Sequence, residues 1–198
     1  MIRLILLLVC FQIYQVSLAQ ISDNFTDGNY TSSPIWTPSA TTDFTVFSSQ
    51  LKSANTTTNS NFYISTTNTL VTNCQWEFYV NLQFNTSSTN YVDIYVSSDV
   101  SNLQAASING YFIRIGGTLD EICLYKRSGL ASTSVKMIDG IDGVTNVSNS
   151  VFKIKVTRNA SNLWELNRDL TGTGNNYITE GTITDATFLS ATAINHFY

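Results

Sequence analysis

A chain of 198 residues has room for one domain and a short appendage. Apolar residues make up 43% of it, enough for a core, but charged residues only 12%, against ~25% in an average domain. The net charge is -4 and no basic run occurs, which excludes the electrostatic footprint of nucleic-acid binding and a polybasic membrane patch, while 12% aromatic residues exclude a disordered chain.

Residues 1–19 read MIRLILLLVCFQIYQVSLA: one Arg, an apolar run from Leu4 to Phe11, and Ser17-Leu18-Ala19 before Gln20. That is the layout of a secretory signal peptide with a small-x-small cleavage site, and the run is short for a membrane span. The expected mature chain is one domain over 20–198, secreted or at the cell surface, with no later span. Cleavage removes Cys10 and leaves Cys74 and Cys123.

Residues 23–38, DNFTDGNYTSSPIWTP, are too irregular for a helix and too aromatic for a linker. Phe25 is expected to start an edge strand, Asp27-Gly28 to turn the chain, and Trp36 to plug the end of a sandwich after Pro34. FTVFSSQLKSA (44–54) alternates around a turn at Ser48-Ser49, and 55–61 is a Thr/Asn-rich loop. QWEFYVNLQF (75–84) has period 2, with Trp76, Phe78, Val80, Leu82 and Phe84 on one face. After a turn at 85–88, YVDIYV (91–96) points Val92, Ile94 and Val96 inward. VSNLQAAS (100–107) is the best helix candidate, a turn or two at most. YFIRIGG (111–117), EICLYKR (121–127), VFKIKVTR (151–158) and NLWELNRD (162–169) follow as strands, with Phe152, Ile154 and Val156 inward and a turn at Gly172-Thr173-Gly174. Short strands with regular turn signals and no helical stripe mean an all-β sandwich or barrel.

The ordered series DNFTDGNYTSSPIWT, FTVFSSQLKS, WEFYVNLQFNTSSTNYVDIYVSSD and NGYFIRIGGTLDEICLYKR resembles the jelly-roll domain near the start of many exported Bacteroidetes surface proteins, often followed by lamin-tail domains. That domain is similar to the concanavalin A-like lectin/glucanase sandwich. The resemblance covers most of 22–170. It implies an all-β, two-sheet antiparallel jelly-roll sandwich and an exported location, and fold alone does not set activity. Such domains usually continue with a final strand pair, whereas this chain stops at AINHFY (193–198), so the last strands are expected to be missing and one sheet edge exposed.

Catalytic signatures are absent. Glycosidases use two carboxylates flanking the bond, and in the strand that holds Glu77 the next positions on its face are Tyr79 and Asn81. Asp120 and Glu121 are neighbours and point apart in a strand, and Asp93 stands alone on its strand. The single His, His196, is near the end, and no Gly-x-Ser-x-Gly elbow occurs. Asp139-Gly140-Ile141-Asp142-Gly143 has the oxygens for calcium but not the EF-hand spacing; Asp and Gly are ordinary turn residues, so a turn is the preferred reading and no cofactor is expected. Strand parity puts Cys123 outward and Cys74 in line with inward Trp76, which disfavours a disulfide.

The outward faces carry Glu77, Tyr79, Asn81, Tyr91, Asp93, Tyr95, Arg114, Tyr125 and Arg127. Tyr rings cover the apolar faces of sugars and polar neighbours bond their hydroxyls; cross-strand Tyr pairs also stabilise sheets without any ligand, and the residues could fall on two sheets. The expected ligand-binding set is Tyr79, Tyr91, Asp93, Tyr95, Arg114 and Tyr125. The expected function is a non-catalytic module binding polysaccharide or a surface glycan in adhesion, with a structural spacer or a carbohydrate-active enzyme as alternatives.

Overall fold

A computed structural model describes residues 21–192 and the strand at 194–197; the leader at 1–19 with Cys10, and the His196 side chain, lie outside the described residues. In chain order the strands are β1 (Thr37–Pro38), β2 (Phe44–Phe47), β3 (Gln50–Ser53), β4 (Ile64–Thr66), β5 (Cys74–Leu82), β6 (Val92–Ser98) and β7 (Ile108–Gly116). They continue as β8 (Glu121–Gly129), β9 (Val135–Ile138), β10 (Ser150–Arg158), β11 (Leu163–Asp169), β12 (Ile178–Thr184) and β13 (Ile194–Phe197).

Two antiparallel sheets make a β-sandwich. The large sheet has the order β1-β4-β13-β6-β7-β8-β9 and the small sheet β12-β11-β10-β5; β2 and β3 form a separate hairpin. The chain changes sheet between β4 and β5, β5 and β6, β9 and β10, and β12 and β13, a connectivity compatible with a jelly roll.

Alternation builds the core. Trp76, Val80 and Leu82 of β5 and Phe152, Ile154 and Val156 of β10 face Ile94, Ile113, Ile115, Ile122 and Leu124 of the large sheet, all buried. Trp76 and Trp164 stack at 5.7 Å between centroids, interplanar angle 7°. Each such side chain contributes about 1.5–3 kcal/mol on burial. At the end of the core near Trp164, Arg158 is fully buried; its guanidinium donates to the carbonyls of Val71 (2.9 Å), Phe188 (2.8 Å) and Asp185 (3.1 Å) and lies 4.7 Å from the Trp164 ring centroid.

Two expectations need correction. Phe25 is in no strand: it has φ of 54° and packs 6.1 Å from the Trp36 ring. Trp36 itself is buried as expected, its Nε1 donating to Asp23 at 2.8 Å. Residues 100–107 form turns rather than a helix, because Asn102 Oδ1 accepts from the Gln104 amide (2.9 Å) and competes with helical bonding. Residues 194–197 pair with both β4 and β6 inside the large sheet. The turn at Ser48-Ser49 does join β2 to β3; both residues have positive φ (51° and 58°), the geometry of a tight hairpin.

Candidate functional site

Strand register brings five of the six expected residues onto one surface. Arg114 of β7 is opposite Asp93 of β6 on one side and Cys123 of β8 on the other; Phe112 is opposite Tyr95 and Tyr125. Because Ile113, Ile115, Ile122 and Leu124 point into the core, these alternating partners occupy the outer face. Tyr95, Phe112 and Tyr125 stack across three strands, with centroids 4.9 and 5.2 Å apart. Asp93 is not alone: Arg114 donates to both its oxygens, from Nε and Nη2, at 2.7 Å each. The Arg114 guanidinium sits 4.0 Å from the Tyr91 ring centroid. Burial disfavours its charge, but the bonds to Asp93 outweigh that and hold it more firmly protonated than usual.

Half of this face is covered. The segment 99–107 lies over it, placing Leu103 and Ala105 against Tyr95 and Phe112. Arg127 stitches it down by donating to the carbonyls of Ala105 (3.3 Å), Ala106 (3.2 Å) and Gly129 (2.9 Å) and to the Tyr95 hydroxyl (3.2 Å). Tyr95 is therefore 4% exposed and acts as packing.

The other half is open. A cavity of about 250 Å³ lies there, lined by Ser88, Arg114, Gly116, Leu119, Tyr125 and Lys136 among others. Its wall depends on Gly116, whose φ is +99° and whose position would put a Cβ 2.6 Å from Thr86 Cβ. Thr86 Oγ1 in turn bonds Asp120 (2.6 Å) and Thr145 Oγ1 (2.8 Å), tying three loops together.

At the cavity floor Lys136 of β9 bridges Glu121 and Asp139, 2.6 Å from an oxygen of each. Glu121, Cys123 and Asp139 offer ligand atoms within 4.8 Å of one another, and the Lys136 ammonium already binds both carboxylates of that group. Residues 139–143 serve as a strap against this face. The Gly140 amide donates to Cys123 Sγ (3.2 Å), the Gly143 amide to the Leu119 carbonyl (2.8 Å), and a Cβ at Gly140 would lie 2.2 Å from the Ile122 oxygen.

These contacts bear on chemistry. Burial pushes the Cys123 thiol up to about 12 and Cys74 up to about 11, the opposite of an activated thiolate. Both cysteines are free: Cys74 packs against the core from the small sheet, and Cys123 is on the outer face of the large one. Lys136 holds the Asp139 carboxyl below its ordinary range, whereas a glycosidase general acid needs a raised one.

Tyr79 does not join the set. It is 44% exposed on the outer face of the small sheet, on the far side of the molecule, opposite Lys153 on β10 and one alternation from Glu77, which Lys153 bonds at 3.1 Å. Glu77 and Asn81 go with it. Sequence reasoning also passed over Phe112 and Lys136, and weighed Glu121 only as a possible catalytic carboxylate beside Asp120. Phe112 shares the parity of Arg114, which was a usable signal. Lys136 lies in a four-residue strand, too short to show a readable alternation.

No protein-family model matches the chain, and no curated protein matches it.

Proposed function

We propose that the chain is an exported, non-catalytic β-sandwich module that binds carbohydrate, as a surface or extracellular adhesion domain, at the open half of the outer face of its large sheet. The observation that carries this reading is Arg114, pinned by Asp93 and stacked on Tyr91, beside half-exposed Tyr125 at the lip of a cavity. Rigid rings and fixed donors of this kind recognise a sugar with little ordering on binding. The leader-like first nineteen residues and the resemblance to the concanavalin A-like jelly roll of Bacteroidetes surface proteins support export and a lectin-like role.

The test is a polysaccharide array with the purified protein. Binding to a glycan class should fall at least tenfold in Tyr91→Ala and Tyr125→Ala, and stay unchanged in Tyr79→Ala. Loss of binding in Tyr79→Ala alone would move the site to the small sheet. The stacked Tyr95–Phe112–Tyr125 rows favour a second reading, a structural spacer whose tyrosines only hold the sheet; it expects a folded protein that binds no glycan.

A further inference from the structure

We infer that the cavity takes one neutral sugar unit and rejects uronates and sulfated sugars, an inference that rests on the carbohydrate-binding reading above. Size comes first. About 250 Å³ is below the ~300–1,000 Å³ of pockets for drug-sized ligands, room for a single ring such as a chain end or side branch.

Charge comes second. Both cations at the cavity are already neutralised: Arg114 by Asp93, and Lys136 by Glu121 and Asp139 together. Three carboxylates against two cations leave the group one negative charge. An incoming carboxylate or sulfate meets no unpaired cation there: of the lining residues Glu121 is anionic, and Arg114 and Lys136 are already paired with Asp93, Glu121 and Asp139.

Hydrogen bonding comes third. Arg114 commits Nε–H and one Nη2 N–H to Asp93, which leaves Nη1 and the second Nη2 N–H to donate. Lys136 commits its ammonium to two carboxylates, which leaves one N–H. Glu121 Oε2 is buried and accepts no hydrogen bond from a nitrogen or oxygen, the weak Cys123 thiol being the nearby donor to this carboxyl, and Glu121 lines the cavity. A buried carboxylate oxygen without a donor is costly, so a ligand that brings a donor to the mouth, or lets Lys136 swing toward that oxygen, gains. A hydroxyl both gives and accepts a hydrogen bond. A carboxylate only accepts.

The experiment compares polygalacturonate with its carboxyl-reduced form, which share the ring and differ in charge, using the purified full protein in 50 and 500 mM NaCl. A panel of neutral glucans, galactans and mannans is run alongside. Neutral polymers, the reduced form or another, are expected to bind at least tenfold tighter than any acidic one at low salt, as a like charge at a few ångströms implies. The gap should narrow at high salt. Glu121→Gln, which removes one carboxylate charge, should narrow it too; the salt response of the unaltered protein tests the same point if that variant does not fold. Tighter binding of the uronate or of a sulfated glycan, weakened by salt, would overturn the inference and leave the carbohydrate reading standing. A folded protein that binds none of these polymers would overturn both.

Discussion

Asp93→Ala is the sharpest structural test of the platform, because it strands a guanidinium on a sheet face. The pair is bidentate at 2.7 Å, and the side chains are 28% (Arg114) and 8% (Asp93) exposed. Breaking a fully buried pair from one side costs ~3–5 kcal/mol and an exposed pair contributes ~0–1. With one partner buried and the other partly open to water, the expected loss is about 2 kcal/mol. In urea, with a slope of ~1–3 kcal/mol per molar, that moves the unfolding midpoint down by roughly 1 M. Arg114→Ala should cost a comparable amount, since it leaves the buried carboxylate alone. The double variant should be more stable than the sum of the two losses implies, by a coupling of ~1–2 kcal/mol. A midpoint for Asp93→Ala within about 0.2 M of the parent, or losses that simply add, would refute the claim that the pair is a coupled, largely desolvated unit.

Gly116→Ala should lose more than ~1 kcal/mol, because the positive φ and the Thr86 contact oppose any side chain. Gly28→Ala is its control, with φ of +79° and open space around it, and should lose less in the same melts. Cys123 should resist iodoacetamide at pH 8 in the native protein and react on unfolding, since its thiol is buried and raised to about 12; rapid native labelling would contradict that. Among the carboxylates held below their ordinary value, Asp169 and Asp185 are shifted furthest and lead the acid response. Burial alone would raise Asp169, but bonds from Thr171 and from the amides of Asn176 and Gly174 outweigh it, and Lys126 and Tyr111 do the same for Asp185; both end well below the usual range. Their folded values lie below the unfolded one, so their stabilisation is full above the unfolded carboxylate value and is lost as pH falls through the folded values. The melting temperature should drop steadily below about pH 4, and Asp169→Asn should flatten that drop; an unchanged slope would refute the assignment.

Much of the sandwich was legible because burial on one face writes a period of two into the chain. Trp76-Val80-Leu82, Phe152-Ile154-Val156 and Ile113-Ile115 alternate without interruption, and all are buried. Short strands such as β4 and β9 were missed, since three or four residues carry too few alternations to read. The helix candidate at 100–107 failed through Ser and Asn bonding to nearby backbone amides, a local competition that composition only hints at. For the site, parity placed Asp93, Arg114 and Tyr125 outward. It could not tell that β5 belongs to the other sheet, which removes Tyr79, nor that a loop would cover Tyr95. Sheet membership is a long-range property, set by pairings such as β5 with β10 across some seventy residues of chain. The Glu121–Lys136–Asp139 group was hidden for the same reason, because its members meet only through the pairing of β8 with β9.

The most direct test of the carbohydrate site is an amide chemical-shift map of the isotope-labelled protein titrated with the best glycan from the array. The account predicts shifts confined to Ser88, Tyr91, residues 114–121, Tyr125 and Lys136, the rim of the open half of the large sheet. Shifts centred on Glu77, Tyr79, Asn81 and Lys153 of the small sheet, or none at saturating glycan, would contradict it.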